Sequence, residues 1–273
     1  MVRTLWTAAT GMIAQQTNVD TIANNLANVN TVGYKTETNE FKSLLYQTLQ
    51  TRTTSANGDT KPVGAQVGLG VRNAAIASQF TQGAYLESES KTAFAIGGKG
   101  LFAVRGEDGE TYYTRNGDFR FSIGGNGTMV LATSGGLPVL SSAGQEIRIP
   151  DTYITSKIEV DADGYLMYPD ANNNMQRINN MRIGLYQFQN PSGLNKEGDS
   201  LYSQTAASGP ALNEATNQNL DRSEIRQGYL EGSNVSVADE MVNLIVAQRA
   251  YELNSKAITT ADTMMQEANE LKR

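Results

Sequence analysis

The sequence predicts an α+β protein, with two long terminal helices that pair in coiled-coil fashion and an all-β domain between them. Apolar residues recur every seven positions near the N-terminus, and again over the last forty or so residues. Between these ends, turn dipeptides recur about every ten residues with β-forming runs between them.

In the first segment, Leu5, Met12, Val19 and Leu26 are spaced by seven. Ala8, Ile22 and Val29 follow three residues after members of that series, which gives an a/d seam interrupted by Gln15. The helix is predicted to stop near Asn30, with Gly33 supplying a left-handed exit. From Thr4 to Tyr34 the only formal charge is Asp20. An ordinary surface helix carries Lys and Glu on its outer face; this one carries Thr, Gln and Asn. Asn24, Asn25 and Asn28 are poor helix formers. Their amides donate and accept without the desolvation cost of a charge, so they suit burial against several neighbours.

At the other end, Val237, Leu244, Tyr251, Ile258 and Met265 repeat the spacing of seven. Ala247, Ala261 and Ala268 lie three residues further on, and Glu240 and Asn254 interrupt that second row. Ser236 with Asp239 reads as a capping box, and no Gly or Pro interrupts the pattern up to Arg273. Two apolar seams at opposite ends of one chain allow a closed helical hairpin, but the near-absence of charge from Thr4 to Tyr34 fits better with subunits that bundle side by side.

The middle is predicted to be β. Turn signals fall at Gly97-Gly98, Asp108-Gly109, Asn116-Gly117, Asn126-Gly127, Gly135-Gly136 and Gly144, with strand-like runs such as Thr111 to Thr114 between them. A second β stretch runs from Ile158 to Phe188 with a turn at Asp163-Gly164. The polar piece from Thr51 to Gly68 reads as a long loop or extended arm. The expected division is therefore 1–35 with 233–273 as the helical domain, 36–75 as an arm, and 76–232 as the β-rich domain.

Composition removes several functions. The chain has neither His nor Cys, so imidazole bases, thiolate nucleophiles, disulfides and the usual zinc ligands are excluded. With 28 acidic against 22 basic residues the net charge is −6, which argues against nucleic acid. No run approaches the roughly 20 apolar residues of a membrane-spanning helix, and no conventional signal-peptide pattern opens the chain. Gly97-Gly98-Lys99-Gly100 lacks the Ser or Thr and the spacing of a phosphate loop. Asp161-Ala162-Asp163-Gly164 lacks the glycine and closing Glu positions of a calcium loop. Catalytic, cofactor and metal sites are thus all expected to be absent. The candidate functional residues are those of an assembly interface: Leu5, Met12, Val19, Leu26, Asn24, Asn25, Asn28, Val237, Leu244, Tyr251, Ile258 and Met265.

Longer motifs give this reading a family. Asn24-Asn25-Leu26-Ala27-Asn28 followed by Asn30, Gly33, Tyr34 and Lys35 resembles the N-terminal signature of the flagellar rod and hook axial proteins. Gly228-Tyr229-Leu230-Glu231, Ser233-Asn234-Val235 and Met241 to Ser255 resemble their C-terminal one. Phe41 to Thr48, Gly68 to Val71, Gly98 to Val104 and Tyr113 to Phe119 are similar to the distal-rod branch, although Leu101 stands where the family usually shows an aromatic. The resemblance implies a structural subunit of a helical, tubular rod, with end helices as an inner layer and the arm between subunits. It implies contacts with copies of itself, proximal rod proteins, the hook protein and surrounding ring proteins, and export through the flagellar apparatus without a cleaved signal. The residues leave open another secreted β-rich filament or adhesin subunit, and, more distantly, a carboxylate-based glycan hydrolase that would need two acids facing each other across a cleft.

Overall fold

The computed structural model describes residues 2–50, 65–125, 127–170, 174–217 and 219–271. The central part of the expected arm, 51–64, lies outside the described residues. The chain packs as two compact units, one of residues 1–27, 37–77 and 236–273, the other of residues 28–36 and 78–235. The α+β class read from the sequence is the observed one. Residues 28–36 group with the β-rich unit, and both sides of the expected arm group with the helices.

The first unit holds α1 (Val2–Ala27) and α2 (Val237–Glu270), which pack on each other. Helix α1 ends where the Asn-rich stretch turns; the Thr31 amide donates to the Asn28 carbonyl at 3.1 Å, and Gly33 takes φ +70°. Helix α2 runs 34 residues, about 51 Å at the α-helical rise of 1.5 Å per residue. Ser236 is its N-cap with extended backbone, but its hydroxyl makes no capping bond, so the capping box read from the sequence does not form. The first turn instead closes through the Glu240 amide on the Ser236 carbonyl at 3.0 Å. Asp239 and Glu240 place negative charge at the positive end of the helix dipole.

Between the helices in sequence lies a two-stranded ribbon. β1 (Glu37–Ser43) pairs with β4 (Val71–Ser78), and β2 (Tyr46–Gln50) pairs antiparallel with β3 (Ala65–Gly68). Bonds from the Leu44 amide to the Gly70 carbonyl and from the Leu69 amide to the Leu45 carbonyl make the two pairings continuous. The segment read as a loop or arm is therefore strand on both of its described sides.

The β-rich unit is built from short antiparallel strands. Two small ladders pair β5 (Tyr85–Glu87) with β20 (Tyr229–Glu231), and β6 (Phe94–Gly97) with β19 (Glu224–Gln227). A six-stranded sheet runs in the order β16 (Asn195–Gly198), β17 (Leu201–Ser203), β8 (Thr111–Thr114), β7 (Leu101–Arg105), β15 (Leu185–Gln187) and β18 (Leu212–Asn213). Three-stranded sheets join β11 (Arg148–Pro150), β10 (Thr128–Thr133) and β9 (Phe119–Gly124), and β12 (Glu159–Val160), β13 (Tyr165–Pro169) and β14 (Met175–Arg182). Gly98, Gly109, Gly127, Gly136, Gly144 and Gly164 all adopt positive φ, as the predicted turns require.

Strand β7 shows how the core is divided. Its side chains alternate with the period of two that a strand imposes. Phe102 and Val104 enter a large cluster with Phe94, Ile96, Phe119, Leu131 and Ile225, while Leu101 and Ala103 enter a second one with Tyr113, Phe188 and Tyr202. Burying such side chains stabilises by about 1.5–3 kcal/mol each.

Candidate functional site

The seams are where the sequence places the candidate residues, and the geometry of the helix pair decides what they can do. The fully buried side chains are mostly small: Ala8 and Ala14 on α1, Ala247 and Ala261 on α2, together with Ile22, Thr21 and Asn25. An ideal Cβ at Gly11 would stand 2.9 Å from the Asn254 amide nitrogen, so the helices approach closely there. Small residues allow that approach, and the second row of each heptad supplies most of them.

The larger seam residues flank this stripe. Leu5, Met12, Val19 and Leu26 on α1 and Leu244, Ile258 and Met265 on α2 are half-buried, whereas Val237 and Tyr251 are exposed. Val19 and Tyr251 share the wall of an open groove of about 390 Å³ with Gln16, Gln248 and Glu252. The nine apolar candidates thus form the border of the helix contact rather than its centre.

The amides divide differently from the sequence reading. Asn24 is exposed and Asn28 half-buried, the latter accepting from the Thr31 hydroxyl at 3.1 Å. Asn25 is buried and its amide is engaged inside the chain. Its Nδ2 donates to the Glu37 carbonyl at 2.8 Å, and its Oδ1 accepts from the Glu37 amide at 2.9 Å. This two-point contact copies a strand pairing and ties the start of β1 to α1. Asn25 Nδ2 also reaches Glu240 Oε1 at 3.4 Å. Burial raises the Glu240 pKa, Asn25 opposes the shift and neighbouring Asp239 adds to it.

Sequence reasoning about one seam missed a second set of apolar positions. Trp6 and Ile13 on α1 are 69% and 66% exposed, and on α2 Val246 and Leu253 are 63% and 69% exposed, accompanied by exposed Met241, Val242 and Ile245. On a solvated helix these outward positions would be charged. On α1 the signal was present as low charge, Asp20 being the only charged residue from Thr4 to Tyr34. The ribbon continues the pattern, with Leu45, Tyr46 and Leu49 also exposed. Exposed apolar side chains concentrated on the helices and ribbon mark an interaction surface.

Among the described residues, no helix is long and apolar enough to cross a membrane. Nor do the described residues contain a group of three or more Asp and Glu side chains arranged to hold a metal.

Comparison with known proteins gives these surfaces a context. Residues 5–35 match the "Flagella basal body rod protein" family model, residues 95–168 the "Flagellar hook protein FlgE/F/G D1 domain", and residues 226–271 the "Flagellar basal body rod FlgEFG protein C-terminal" model. The chain is 44% identical to the flagellar basal-body rod protein FlgG of Borreliella burgdorferi, over 100% of both chains. It is 41% identical to FlgG of Agrobacterium fabrum, over 96% of this chain and 97% of that one. With FlgG of Buchnera aphidicola (subsp. Schizaphis graminum) the identity is 39%, over 99% and 100%. Matches of this length and identity at both ends and in the middle leave one conclusion: the chain belongs to the flagellar basal-body rod protein family and is similar along its whole length to the distal rod member FlgG.

Proposed function

We propose that this chain is a structural subunit of the bacterial flagellar rod, polymerising through its terminal helices into the tubular shaft that transmits torque to the hook. One observation supports this most: the helix pair buries a narrow stripe of small residues and leaves large apolar side chains exposed on its outward faces. A second copy is the partner that covers such faces repeatedly. Heterologous contacts of one patch with another generate open helical assemblies when the rotation does not close.

In this reading Leu5, Met12, Val19, Leu26, Val237, Leu244, Tyr251, Ile258 and Met265 contribute at the edge of each helix pair. Asn24 and Asn28 offer polar contacts to neighbours, and Asn25 holds the helix and ribbon in register. The further partners are proximal rod proteins, the hook protein, the rings around the rod and the export apparatus, with a place in the basal body across the cell envelope. No catalysis, cofactor, nucleic-acid contact or direct membrane insertion belongs to this role.

The test compares exposed apolar positions with an exposed charged one. Val246→Asp and Leu253→Asp change exposed residues, so the purified subunit keeps its circular dichroism spectrum and thermal transition. Burial of each in a copy contact is worth about 1.5–3 kcal/mol, repeated at every interface, so rod growth and swimming are abolished. Lys256→Asp, an exposed change from one charged residue to another, is much milder. Normal swimming of both Val246→Asp and Leu253→Asp strains refutes the assignment.

A further inference from the structure

Four of the motifs that carry the resemblance are absorbed by neither the helix contact nor the apolar faces: Lys35, Arg115, Glu231 and Asn234. They come from separate parts of the sequence and meet in one place within the β-rich unit.

Glu231 is fully buried at the end of β20. Its Oε1 accepts from Lys35 Nζ at 2.6 Å and from the Gly83 amide at 2.9 Å, and its Oε2 accepts from Arg115 Nε at 2.5 Å. Lys35 also donates to the Thr81 carbonyl at 2.7 Å. Arg115 spends its remaining donors on the carbonyls of Gly98, Gly100 and Ile96 and on Gln82 Oε1. Burial lowers the Lys35 pKa despite the opposing pull of Glu231. Beside this cluster, Asn234 Oδ1 accepts from the amide and the hydroxyl of Thr36, both at 2.7 Å. Its Nδ2 donates to the Gln79 carbonyl at 2.9 Å and to Thr81 Oγ1 at 2.7 Å. The Gln79 amide completes the circuit on the Thr36 carbonyl at 2.8 Å.

The chain passes between its two units at 27–28, 36–37, 77–78 and 235–236. Thr36 stands at one of these passages, and Gln79, Thr81 and Asn234 lie within a few residues of two others, on the side of the β-rich unit. A buried ion cluster is weak evidence for stability, because apolar residues of similar volume often stabilise as well. Directed bonds do what apolar packing does not: they fix direction and register. Two cations on one carboxylate, plus an amide serving three segments, define a single arrangement of those segments.

We propose that Asn234 and Glu231 are positioning residues that tie together three segments of the β-rich unit, those around Thr36, Gln79 to Gly83 and Asn234, and fix their register within that unit. The proposal rests on the rod reading, and it assigns to these signature residues the task of holding those segments of the β-rich unit in one arrangement under load.

Asn234→Ala tests it on the full chain, since no buried charge is stranded. The Thr36 amide is expected to exchange with solvent at least tenfold faster, while the Phe102 and Val104 amides of the core keep their protection and the β-rich unit keeps its thermal midpoint. Asn234→Asp retains the acceptor for Thr36 and loses the donors to Gln79 and Thr81, so Thr36 protection returns. In the same way, Glu231→Gln speeds exchange at Gly83 ahead of the core. Rods of Asn234→Ala are expected to fail as viscous load rises, with swimming speed falling more steeply than in the parent. Unchanged exchange at Thr36, or an acceleration spread equally through Phe102 and Val104, overturns the proposal. In either case the outcome for Val246→Asp still decides the assembly reading separately.

Discussion

Gly33 and Glu240 show how much single residues contribute on either side of the unit boundary. Gly33 takes φ +70°, and a Cβ there would stand 2.7 Å from the carbonyl carbon of Arg115 and the nitrogen of Asn116. Both the left-handed conformation and the backbone contact penalise any other residue. Gly33→Ala is therefore expected to cost the β-rich unit about 2 kcal/mol or more, read as a lower denaturant midpoint with the spectrum of the remaining folded fraction unchanged. Glu240 acts in the opposite sense. Its pKa in the folded chain is raised by burial, so the folded state holds the proton more tightly than the unfolded state does. That contribution is fully present below the ordinary carboxyl value of 4.5 and is lost as pH rises through the raised one. At neutral pH the buried carboxylate thus weighs against the helix pair. Glu240→Gln keeps an oxygen for Asn25 Nδ2 and removes the charge. The variant is expected to melt at a higher temperature than the parent at pH 7, with the difference shrinking towards pH 4. A difference independent of pH would show that charge burial is not the cause.

At the scale of elements, the helices were the most legible part of the sequence because a seven-residue spacing follows directly from helical geometry. That spacing did not reveal which row is buried. The helices bury the small second row, Ala247 and Ala261, and leave the large residues at the margin. Substituting Ala247→Leu therefore forces the helices apart and is expected to cost about 1–3 kcal/mol, whereas Tyr251→Ala at the groove leaves the monomer's helix melt nearly unchanged. Equal effects of the two would mean that the pair is centred elsewhere. The β domain was legible through its turns, since positive-φ glycines are dictated locally. The ribbon was not: Glu-Thr-Asn-Glu-Phe-Lys-Ser shows no alternation to mark β1, and its pairing with β4 is made across a long intervening stretch. Asn25 was legible as one amide among several, but its attachment to the Glu37 backbone was not, because its partner is selected by the turn between them. The contact between Lys35 and Glu231 spans 196 positions, and no local pattern encodes a pairing of that reach.

For the whole molecule, the two units differ in what they bury. The β-rich unit owns nearly all the large, fully buried side chains, while the helical unit leaves Trp6, Ile13, Leu253 and, on its ribbon, Leu45, Tyr46 and Leu49 exposed. Ordering a residue costs roughly 1–2 kcal/mol of backbone entropy, and a two-stranded ribbon is marginal alone. In the dilute subunit, amides of α1, α2 and the ribbon are expected to exchange faster than those of β7 and β10, and to become protected on polymerisation. Uniform protection in the free subunit would favour a closed helical hairpin that needs no neighbour. The tie between Thr36 and Asn234 has a further consequence, in the order of events during folding. These residues are 198 positions apart, and the Asn25–Glu240 bond of the helix pair spans 215. Closing a flexible loop of that length costs about 5 kcal/mol in chain entropy. Once the β-rich unit has folded and joined Thr36 to Asn234, that loop is already closed, and α1 and α2 meet across short tethers. Helix α1 thus lacks its partner until the last residues of the chain are made and the β-rich unit has formed. During that interval the N-terminal segment lacks the packing surface that stabilises its helix and leaves its apolar seam exposed to other chains.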